Sequence, residues 1–298
     1  MQQFASDNQA GICPEALAAM AAANAGHEPS YGDDRWTDEL RRRVRTLFET
    51  DACETFLVFN GTSANALALT ALCRPFEATI CHALSHIETD EAAAPEFFTG
   101  GAKLLTADTP DAKLTPEAVT RLAARYEGFH HVKARALSLT QATELGTVYA
   151  LDELKALTRI ARERGLKVHM DGARFANAVA TLGCAPADIA WRAGVDVLSF
   201  GATKNGLAVG EAIVFFDASL ADAFAWRVKQ TGQLASKMRF VAAPWCAMLE
   251  GDVWLRNARH ANAMAMRLAG HLSVVSGIRL LHPVEANAVF ALDRKSVV

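Results

Sequence analysis

The sequence predicts an α/β protein whose sheet is mostly parallel. Short apolar and β-branched runs alternate along the chain with longer segments of helical pattern. Most of the segments between these runs are long enough to hold the crossover helix that joins two parallel strands. We therefore expect a large domain in which helices flank a mostly parallel sheet, followed by a smaller α+β domain.

The elements of the large domain follow in chain order. The first strand is predicted at Thr55 to Phe59, and a helix follows from Thr62 to about Cys73. Helix starts are indicated at Thr115-Pro116-Glu117 and Leu151-Asp152-Glu153, because capping, proline and acidic residues favour the first turn. Gly128 and Gly165 are typical of the corresponding helix ends. The further predicted strands are Ala78 to Cys81, Arg135 to Thr140, Lys167 to Asp171, Asp196 to Phe200 and Ala212 to Phe216.

The pattern changes after Phe216, where the chain becomes mainly helical through His271. Gly277 to Leu281 and Ala288 to Leu292 then predict two strands of another unit. We expect residues 1–250 to form the large domain with an N-terminal arm. Residues 251–298 are expected to begin a small C-terminal domain that the chain leaves truncated.

Composition excludes several classes of protein. The chain has 298 residues, 51% hydrophobic and 21% charged, enough to bury a sizeable core. Its formal charge of -3 offers no general attraction for nucleic acid or anionic membranes. No apolar stretch approaches the roughly 18 residues of a membrane helix, and no secretory signal is visible. The six cysteines form no CxxC pair, so we expect a cytoplasmic protein without disulfides or a metal site.

Chemically useful residues follow the predicted strands. Gly61-Thr62-Ser63 follows the first strand, His86 the second, Asp171 ends a later one, and Lys204 lies beyond Phe200. The carboxyl ends of parallel strands meet at one edge of a sheet, where ligands bind. The sequence therefore predicts one site at that edge.

Each of these features has a plain alternative. Gly61-Thr62-Ser63 is either an ordinary strand-to-helix turn or a phosphate cradle at a helix N-terminus. Asp171 needs a cationic partner, which is either Arg174 or a protonated ring nitrogen of a cofactor. Lys204 is either a solvated loop lysine or a residue that forms an imine with a carbonyl group.

Taken together, the motifs resemble the threonine aldolases, fold-type I pyridoxal 5'-phosphate (PLP) enzymes of the β-eliminating lyase group. The resemblance covers residues 4–292. The residues that carry it are Ser6-Asp7-Asn8, Tyr31-Gly32-Asp33-Asp34, Asn60-Gly61-Thr62-Ser63-Ala64-Asn65, Ser85-His86, Asp171-Gly172-Ala173-Arg174 and Thr203-Lys204-Asn205-Gly206.

The resemblance implies a role for each of these motifs. Lys204 would hold PLP covalently as a Schiff base, Asp171 would pair with the ring nitrogen, and His86 would stack on the ring. Gly61, Thr62 and Ser63 would hold the phosphate group. Lys229 and Arg239 would reach the phosphate group of a neighbouring subunit. Ser6, Arg174 and Tyr31 would contact the substrate. Family members are homodimers or homotetramers with shared sites, so the same assembly is expected here.

The implied reaction is cleavage of L-threonine, L-allo-threonine or a related β-hydroxy-α-amino acid such as phenylserine to glycine and an aldehyde. Many relatives have a second histidine after the strand Arg135 to Thr140, but this chain reads Gln141-Ala142-Thr143-Glu144 there. The base is therefore left open among His86, Asp90, His130 and an ordered water.

Two alternatives to the aldolase remain. The same cofactor residues would serve a β-eliminating lyase or an aminotransferase, because all three need a stabilised carbanion at Cα. Relatives also continue into a C-terminal domain with an arginine for the substrate carboxylate, which Arg279 or Arg294 would have to replace. Without such a replacement, the chain would be an inactive PLP-binding remnant.

Overall fold

The computed structural model describes residues 5–293 apart from residues 126 and 127. Within them, a seven-stranded sheet forms the centre of the molecule and a two-stranded sheet lies near the C-terminal end. The strands are β1 Glu54–Val58, β2 Glu77–His82, β3 Lys103–Ala107, β4 Lys133–Thr140, β5 Lys167–Gly172, β6 Val197–Phe200, β7 Glu211–Phe215, β8 Ile278–Leu280 and β9 Ala291–Asp293.

Helices surround the central sheet, and two of them begin where the capping signals predict. Pro116 begins α6 and Leu151 begins α7, where the Glu153 carboxylate accepts a hydrogen bond from the Ala150 N–H group. The α-helices are α1 Pro14–Ala23, α2 Arg35–Leu47, α3 Gly61–Leu72, α4 His86–Thr89, α5 Ala94–Thr99, α6 Pro116–Arg125, α7 Leu151–Glu163, α8 Phe175–Leu182, α9 Phe224–Gln230, α10 Arg239–Leu249 and α11 Val253–Ser273.

The strand order of the central sheet is β1-β7-β6-β5-β4-β2-β3. Strand β7 runs antiparallel to both of its neighbours, and the other neighbouring pairs are parallel. Strands β1 to β6 therefore point the same way, and their carboxyl ends lie at one edge together with the start of β7. The predicted α/β class and mostly parallel sheet are confirmed.

Strand β3 is the one strand of this sheet that the sequence pattern does not predict. It occupies the edge beside β2, in register with Ala78 opposite Lys103. Exposed and buried side chains alternate along it, so it lacks the continuous apolar run of the central strands. Every other strand prediction for the sheet agrees with the structure to within two residues at each end.

Apolar side chains on the two faces of the sheet build separate parts of the core. On one face, the ring of Phe200 lies 4.9 to 5.7 Å, between centroids, from those of Phe48, Phe175, Trp245 and Trp254. On the other face, helix α3 packs over buried side chains of β6 and β7. Because Phe200 ends β6, this aromatic cluster fixes the strand that leads to Lys204.

The C-terminal part of the described chain consists of α11 and the antiparallel pair β8 and β9. Helix α11 is joined to α8 by reciprocal hydrogen bonds between Asn177 and Asn262. The domain boundary near residue 250 stays a prediction, and Arg294 lies outside the described residues. None of the described helices combines the length and apolar character that crossing a membrane requires.

Candidate active site

A cavity of about 380 Å³ opens at the edge of the sheet where the parallel strands end. Its walls come from segments that are far apart in the chain but meet there because these strands share one direction. The predicted site residues that line it are Gly61, Thr62, His86, Asp171, Arg174 and Lys204. The structure therefore brings the main motifs together around one space.

The N-terminus of α3 forms one wall of the cavity. Asn60 caps the helix, because its Oδ1 atom accepts a hydrogen bond of 2.9 Å from the Ser63 N–H group. The N–H groups of the first helical turn have no carbonyl partner within the helix and favour an anion. Gly61 and Thr62 line the cavity and carry such groups, whereas Ser63 is used for the cap.

A buried amide joins two carboxylates on the floor of the site. The Asn65 Nδ2 atom donates to Asp171 Oδ2 and to Glu91 Oε1, at 2.8 Å in each case. The second oxygen of Asp171 accepts the N–H group of Ala173 at 2.9 Å. Both carboxylates and Asn65 are buried. The two hydrogens of one amide thus hold the carboxylate groups side by side in fixed orientations.

His86 extends this network. Its Nδ1 atom lies 2.9 Å from Glu91 Oε1, and the hydrogen bond with that carboxylate raises the pKa of His86 above its usual value. Asp90 is the acidic residue close after His86 that the sequence offers as a candidate base. In the structure, Asp90 is exposed and bonded by Thr89, while Glu91, one residue later, contacts the imidazole.

A second histidine, His169, is fully buried and connects three strands of the sheet two residues before Asp171. His169 of β5 contacts the Ser138 hydroxyl on β4 at 2.9 Å and the Ser199 hydroxyl on β6 at 3.0 Å. Burial lowers the pKa of His169 to about 4, so the ring is neutral near pH 7. These hydrogen bonds join β4, β5 and β6 close to Asp171, which lies near the end of β5.

Lys204 lies in a single 3-10 turn, Thr203–Asn205, directly after β6. Glu211, the first residue of β7, accepts a hydrogen bond of 2.5 Å from the Ala202 N–H group. On the other side of the turn, the Asn205 amide donates to the Trp254 carbonyl of α11 at 2.9 Å. The lysine thus stands on a short segment that is anchored at both ends.

The Arg174 guanidinium group is paired with Asp7 rather than with Asp171. Its Nε and Nη2 atoms lie 2.8 and 2.9 Å from the two Asp7 oxygens. Burial acts to raise the pKa of Asp7, but Arg174 outweighs it and holds the pKa below its usual value. Ser6, just before Asp7, is exposed and caps the turn that carries it. The ion-pair alternative for Asp171 is therefore wrong.

Glu144 follows β4 and also lines the cavity. Its Oε1 atom accepts hydrogen bonds from the His86 N–H group at 2.9 Å and from the Thr140 hydroxyl at 2.8 Å. Burial, together with the negative charge of Asp171, raises the pKa of Glu144 to about 7. Its position in Gln141-Ala142-Thr143-Glu144 does not by itself predict a role for this glutamate.

Seven predicted residues lie outside the cavity lining of the described chain: Ser6, Tyr31, Ser63, Asp90, His130, Lys229 and Arg239. The Lys229 Nζ atom lies 4.6 Å from the ring centroid of Tyr31, and the Tyr31 N–H group donates to the Ser236 carbonyl. Arg239 begins α10 and is half-buried. His130 is also remote from the lining, in an exposed turn before β4.

The sequence predicts no role for three polar residues of the site, which are the buried Asn65 and Glu91 and the half-buried Glu144. Asn65 interrupts a helix made mostly of alanine and leucine, which is the signal that could have singled it out. Glu91 and Glu144 carry only a weak signal, an acidic residue in the loop after a strand. Their importance follows from contacts between segments that the sequence does not pair.

The described residues fit PLP. Asp171 is 4% exposed and forms no ion pair with a lysine or arginine of the described chain, so it can accept a protonated ring nitrogen. The buried Asn65 Oδ1 atom lacks a hydrogen-bond partner there, and Asn65 lines the cavity. The α3 N-terminus suits the phosphate group, and Lys204 supplies the amine for a Schiff base.

Comparisons with known proteins agree with this geometry. The model of the β-eliminating lyase family matches residues 3–295. The chain is 59% identical to a low specificity L-threonine aldolase of Pseudomonas aeruginosa over 289 residues, which cover 97% of this chain and 83% of that one. A low specificity L-threonine aldolase of Escherichia coli is 30% identical over 258 residues, 84% of this chain and 73% of that one.

Solved structures give the same picture for the fold. The threonine aldolase of Leishmania major superposes with a TM-score of 0.92 at 30% identity, covering 97% of this chain and 83% of that one. A Thermus thermophilus aspartate aminotransferase superposes with a TM-score of 0.71 at 17% identity, covering 96% of this chain and 80% of that one. The second likeness shows the fold alone, and together they confirm the predicted fold-type I architecture.

Proposed function

The chain belongs to the β-eliminating lyase family, and we propose that it is a PLP-dependent aldolase. It cleaves L-threonine, L-allo-threonine or related β-hydroxy-α-amino acids, including phenylserine, to glycine and an aldehyde. The observation that carries this proposal is the meeting of Lys204, Asp171 and His86 around one cavity. The threonine aldolase of P. aeruginosa, which shares 59% of the aligned residues, supports the choice of reaction.

Residues from different walls of the cavity bind different parts of the cofactor. Lys204 binds it covalently, and Asp171 keeps its ring nitrogen protonated. The free N–H groups of Gly61 and Thr62 in α3 hold the phosphate group, and Ser63, whose N–H group is bonded to Asn60, contributes its hydroxyl group. His86 packs against the ring, in an orientation that the bond to Glu91 fixes.

The substrate side uses the arginine fork. Arg174 binds the substrate carboxylate through the guanidinium donors that Asp7 leaves free, and Ser6, the residue before Asp7, is assigned to the same carboxylate. PLP supplies the chemistry that amino acid side chains lack, accepting the electron pair that cleavage leaves on Cα. Fixing the carboxylate and the amine selects which bond at Cα is broken.

The assembly is proposed to be a homodimer or homotetramer with shared sites, working in the cytoplasm. Lys229 packs against Tyr31 outside the cavity lining, and the Nε atom of Arg239, which is also outside the lining, is buried without a hydrogen-bond partner in the described chain. We assign Lys229 and Arg239 to a neighbour's phosphate group and Tyr31 to a neighbour's substrate. Six free cysteines suit a reducing compartment.

The test is product analysis with the purified chain, PLP and L-threonine. Equal amounts of glycine and acetaldehyde are expected. Lys204→Ala removes the amine that binds the cofactor, so turnover should fall by at least about 10³-fold while the protein stays folded. Turnover of this variant at the wild-type rate would overturn the cofactor assignment.

Other products would identify the alternatives. Ammonia with a 2-oxo acid derived from the substrate would indicate β-elimination, and transfer of the amino group to an added 2-oxo acid would indicate an aminotransferase. Bound cofactor without turnover of threonine, allo-threonine or phenylserine would favour an inactive binding protein. Mixing inactive Lys204→Ala and Arg239→Ala chains tests the shared site, because hybrid oligomers should regain activity only if the two residues serve one site from different subunits.

A further inference from the structure

We propose that Glu144 is the catalytic base that takes the proton of the substrate's β-hydroxyl group. This inference rests on the proposed aldolase function and adds the one residue that the reaction still lacks. Retro-aldol cleavage requires a group in the cavity that can accept a proton from an alcohol oxygen. Glu144 lines the cavity and lies on the loop that follows β4, at the edge of the sheet where Asp171 and Lys204 also lie.

The hydrogen bonds of Glu144 leave one oxygen for this task. Its Oε1 atom is held by the His86 N–H group and the Thr140 hydroxyl, at 2.9 and 2.8 Å. Its Oε2 atom is buried and has no hydrogen-bond partner within the described residues. A buried carboxylate oxygen without a partner is costly, and a hydroxyl group of a bound ligand would satisfy it.

The surroundings of Glu144 tune it for proton transfer. Asp171 lies close enough for its charge to oppose ionisation of Glu144, and burial acts in the same direction. The other titratable groups that face it are His86 of α4, Cys81 of β2 and Tyr149 before α7. Burial raises the pKa of both Cys81 and Tyr149, so these two stay neutral near pH 7. A base works best when its pKa is near the working pH, which Glu144 satisfies.

The other candidate bases are placed less well. Asp90 and His130 are exposed and lie outside the cavity lining of the described chain. The Nδ1 atom of His86 is bonded to Glu91, which leaves the ring to hold the cofactor. Catalytic roles for Asp90 and His130 stay predictions that their own variants test.

The proton and electron balance of the step is simple. Glu144 takes the hydroxyl proton, and the O–H electron pair becomes the second bond of the aldehyde carbonyl. The Cα–Cβ bond breaks, and its electron pair remains on the Cα side until a proton binds there. Glycine and the aldehyde together then contain the same atoms as the substrate, so no further reactant is needed.

The test compares Glu144→Gln with the matched control Glu88→Gln in the PLP-loaded enzyme. Glutamine keeps an oxygen that can accept from His86 and Thr140, so the loop retains its bonds while the ionisable group is lost. Cleavage of L-threonine should fall by about 10² to 10⁴-fold in Glu144→Gln, the usual contribution of general-base catalysis. Glu88 is exposed and outside the cavity lining, so its variant should cleave threonine at the wild-type rate.

Two measurements that do not depend on turnover separate catalysis from structure. Glycine lacks the hydroxyl group, so its equilibrium dissociation constant should change less than about threefold in Glu144→Gln. Infrared pH titrations of the two cofactor-free proteins should show one carboxyl group with a pKa well above the usual glutamate range in wild type, and this group should be absent in Glu144→Gln. Glu144→Asp keeps a carboxyl group and should be more active than Glu144→Gln.

The outcomes are distinguishable. Wild-type protein that releases no aldehyde would overturn the proposed function and this inference with it. Wild-type cleavage together with an equally active Glu144→Gln would overturn the inference alone. The inference would also be overturned if Glu144→Gln lost glycine binding in parallel with cleavage, or if Glu144→Gln unfolded while Glu144→Ala kept full activity. A larger loss of cleavage activity in Asp90→Asn or His130→Asn would overturn it as well.

Discussion

The two oxygens of the Asp7 carboxylate accept parallel hydrogen bonds from Arg174, across 167 positions of sequence. The Asn287 amide donates to the same carboxylate at 3.0 Å, which links the N-terminal arm to the C-terminal part of the described chain. A bidentate pair of this kind fixes the plane of a guanidinium group. Asp7 therefore sets the direction in which the remaining Arg174 donors face the cavity.

Asp7→Asn should weaken binding of the amino acid substrate. The change removes one charged acceptor, and hydrogen bonds to charged groups contribute about 1.5–3 kcal/mol, so KM should rise about 10- to 100-fold with a smaller effect on kcat. Steady-state kinetics with L-threonine measure both constants. Asp222→Asn, at an exposed position, is the control. An unchanged KM in Asp7→Asn would show that Arg174 keeps its orientation without this partner.

Glu91→Gln should lower the pKa of His86. The hydrogen bond from the imidazole to the Glu91 carboxylate favours the charged ring, and a neutral amide favours it much less. Titration of the imidazole nitrogens by NMR in the cofactor-free protein measures this pKa directly. Glu88→Gln, an exposed change two residues from His86, should leave it in place. Equal pKa values in wild type and Glu91→Gln would contradict the assignment of Glu91 as the partner.

The raised pKa of Glu144 predicts a specific pH dependence of stability. In the folded protein its pKa is about 7, whereas an unperturbed glutamate titrates near 4.5. The folded state thus binds the proton more tightly, and this stabilisation is present below pH 4.5 and is lost as the pH rises through 7. Between pH 5 and 8, the free energy of unfolding of wild type should fall relative to Glu144→Gln by about 1–3 kcal/mol.

Urea unfolding of both cofactor-free proteins at fixed protein concentration measures that difference. Subtracting the unfolding free energy of one protein from that of the other cancels the contributions of His86 and His169, because their shifted pKa values affect both proteins alike. A difference that is constant over this pH range would mean that Glu144 titrates as an ordinary surface glutamate.

The central strands could be predicted from sequence because their buried side chains form nearly continuous apolar runs. Strands β5 and β6 are examples, since every residue of β6 and all but the first residue of β5 are buried. Strand β3 could not be predicted in the same way, because only two of its five residues are buried at the edge of the sheet. An edge strand thus lacks the apolar run by which a strand is predicted, although it keeps its backbone hydrogen bonds to the neighbouring strand.

The site was predictable where a residue's place in the chain fixes its place in the fold. Asp171 and Lys204 end or follow buried strands, so the sheet direction alone brings them to the cavity. Glu91 and Asn65 meet only because helix α3 packs beside the turn after α4, a contact between segments. The difference between Asp90 and Glu91 is a single residue after a short helix, where the direction of a side chain depends on local dihedral angles.

The last prediction concerns Gly201, which connects β6 to the lysine turn. A Cβ atom there would lie 2.6 Å from the Ala173 Cα atom and 2.7 Å from the Ala173 carbonyl oxygen. Real Cβ atoms do not approach backbone so closely, so Gly201→Ala must push apart the segment of Asp171 to Arg174 and the segment of Lys204. Overpacking of this kind costs about 1–3 kcal/mol of unfolding free energy. The cofactor should also bind more weakly, since its two ends are held by the segments that separate.

Gly270→Ala is the matched control, because Gly270 lies in α11 with open space around the added methyl group, and alanine stabilises a helix by about 1 kcal/mol. Urea unfolding and PLP titration measure both effects, and a Gly201→Ala protein with wild-type stability and cofactor affinity would show that these two loops do not depend on each other's position.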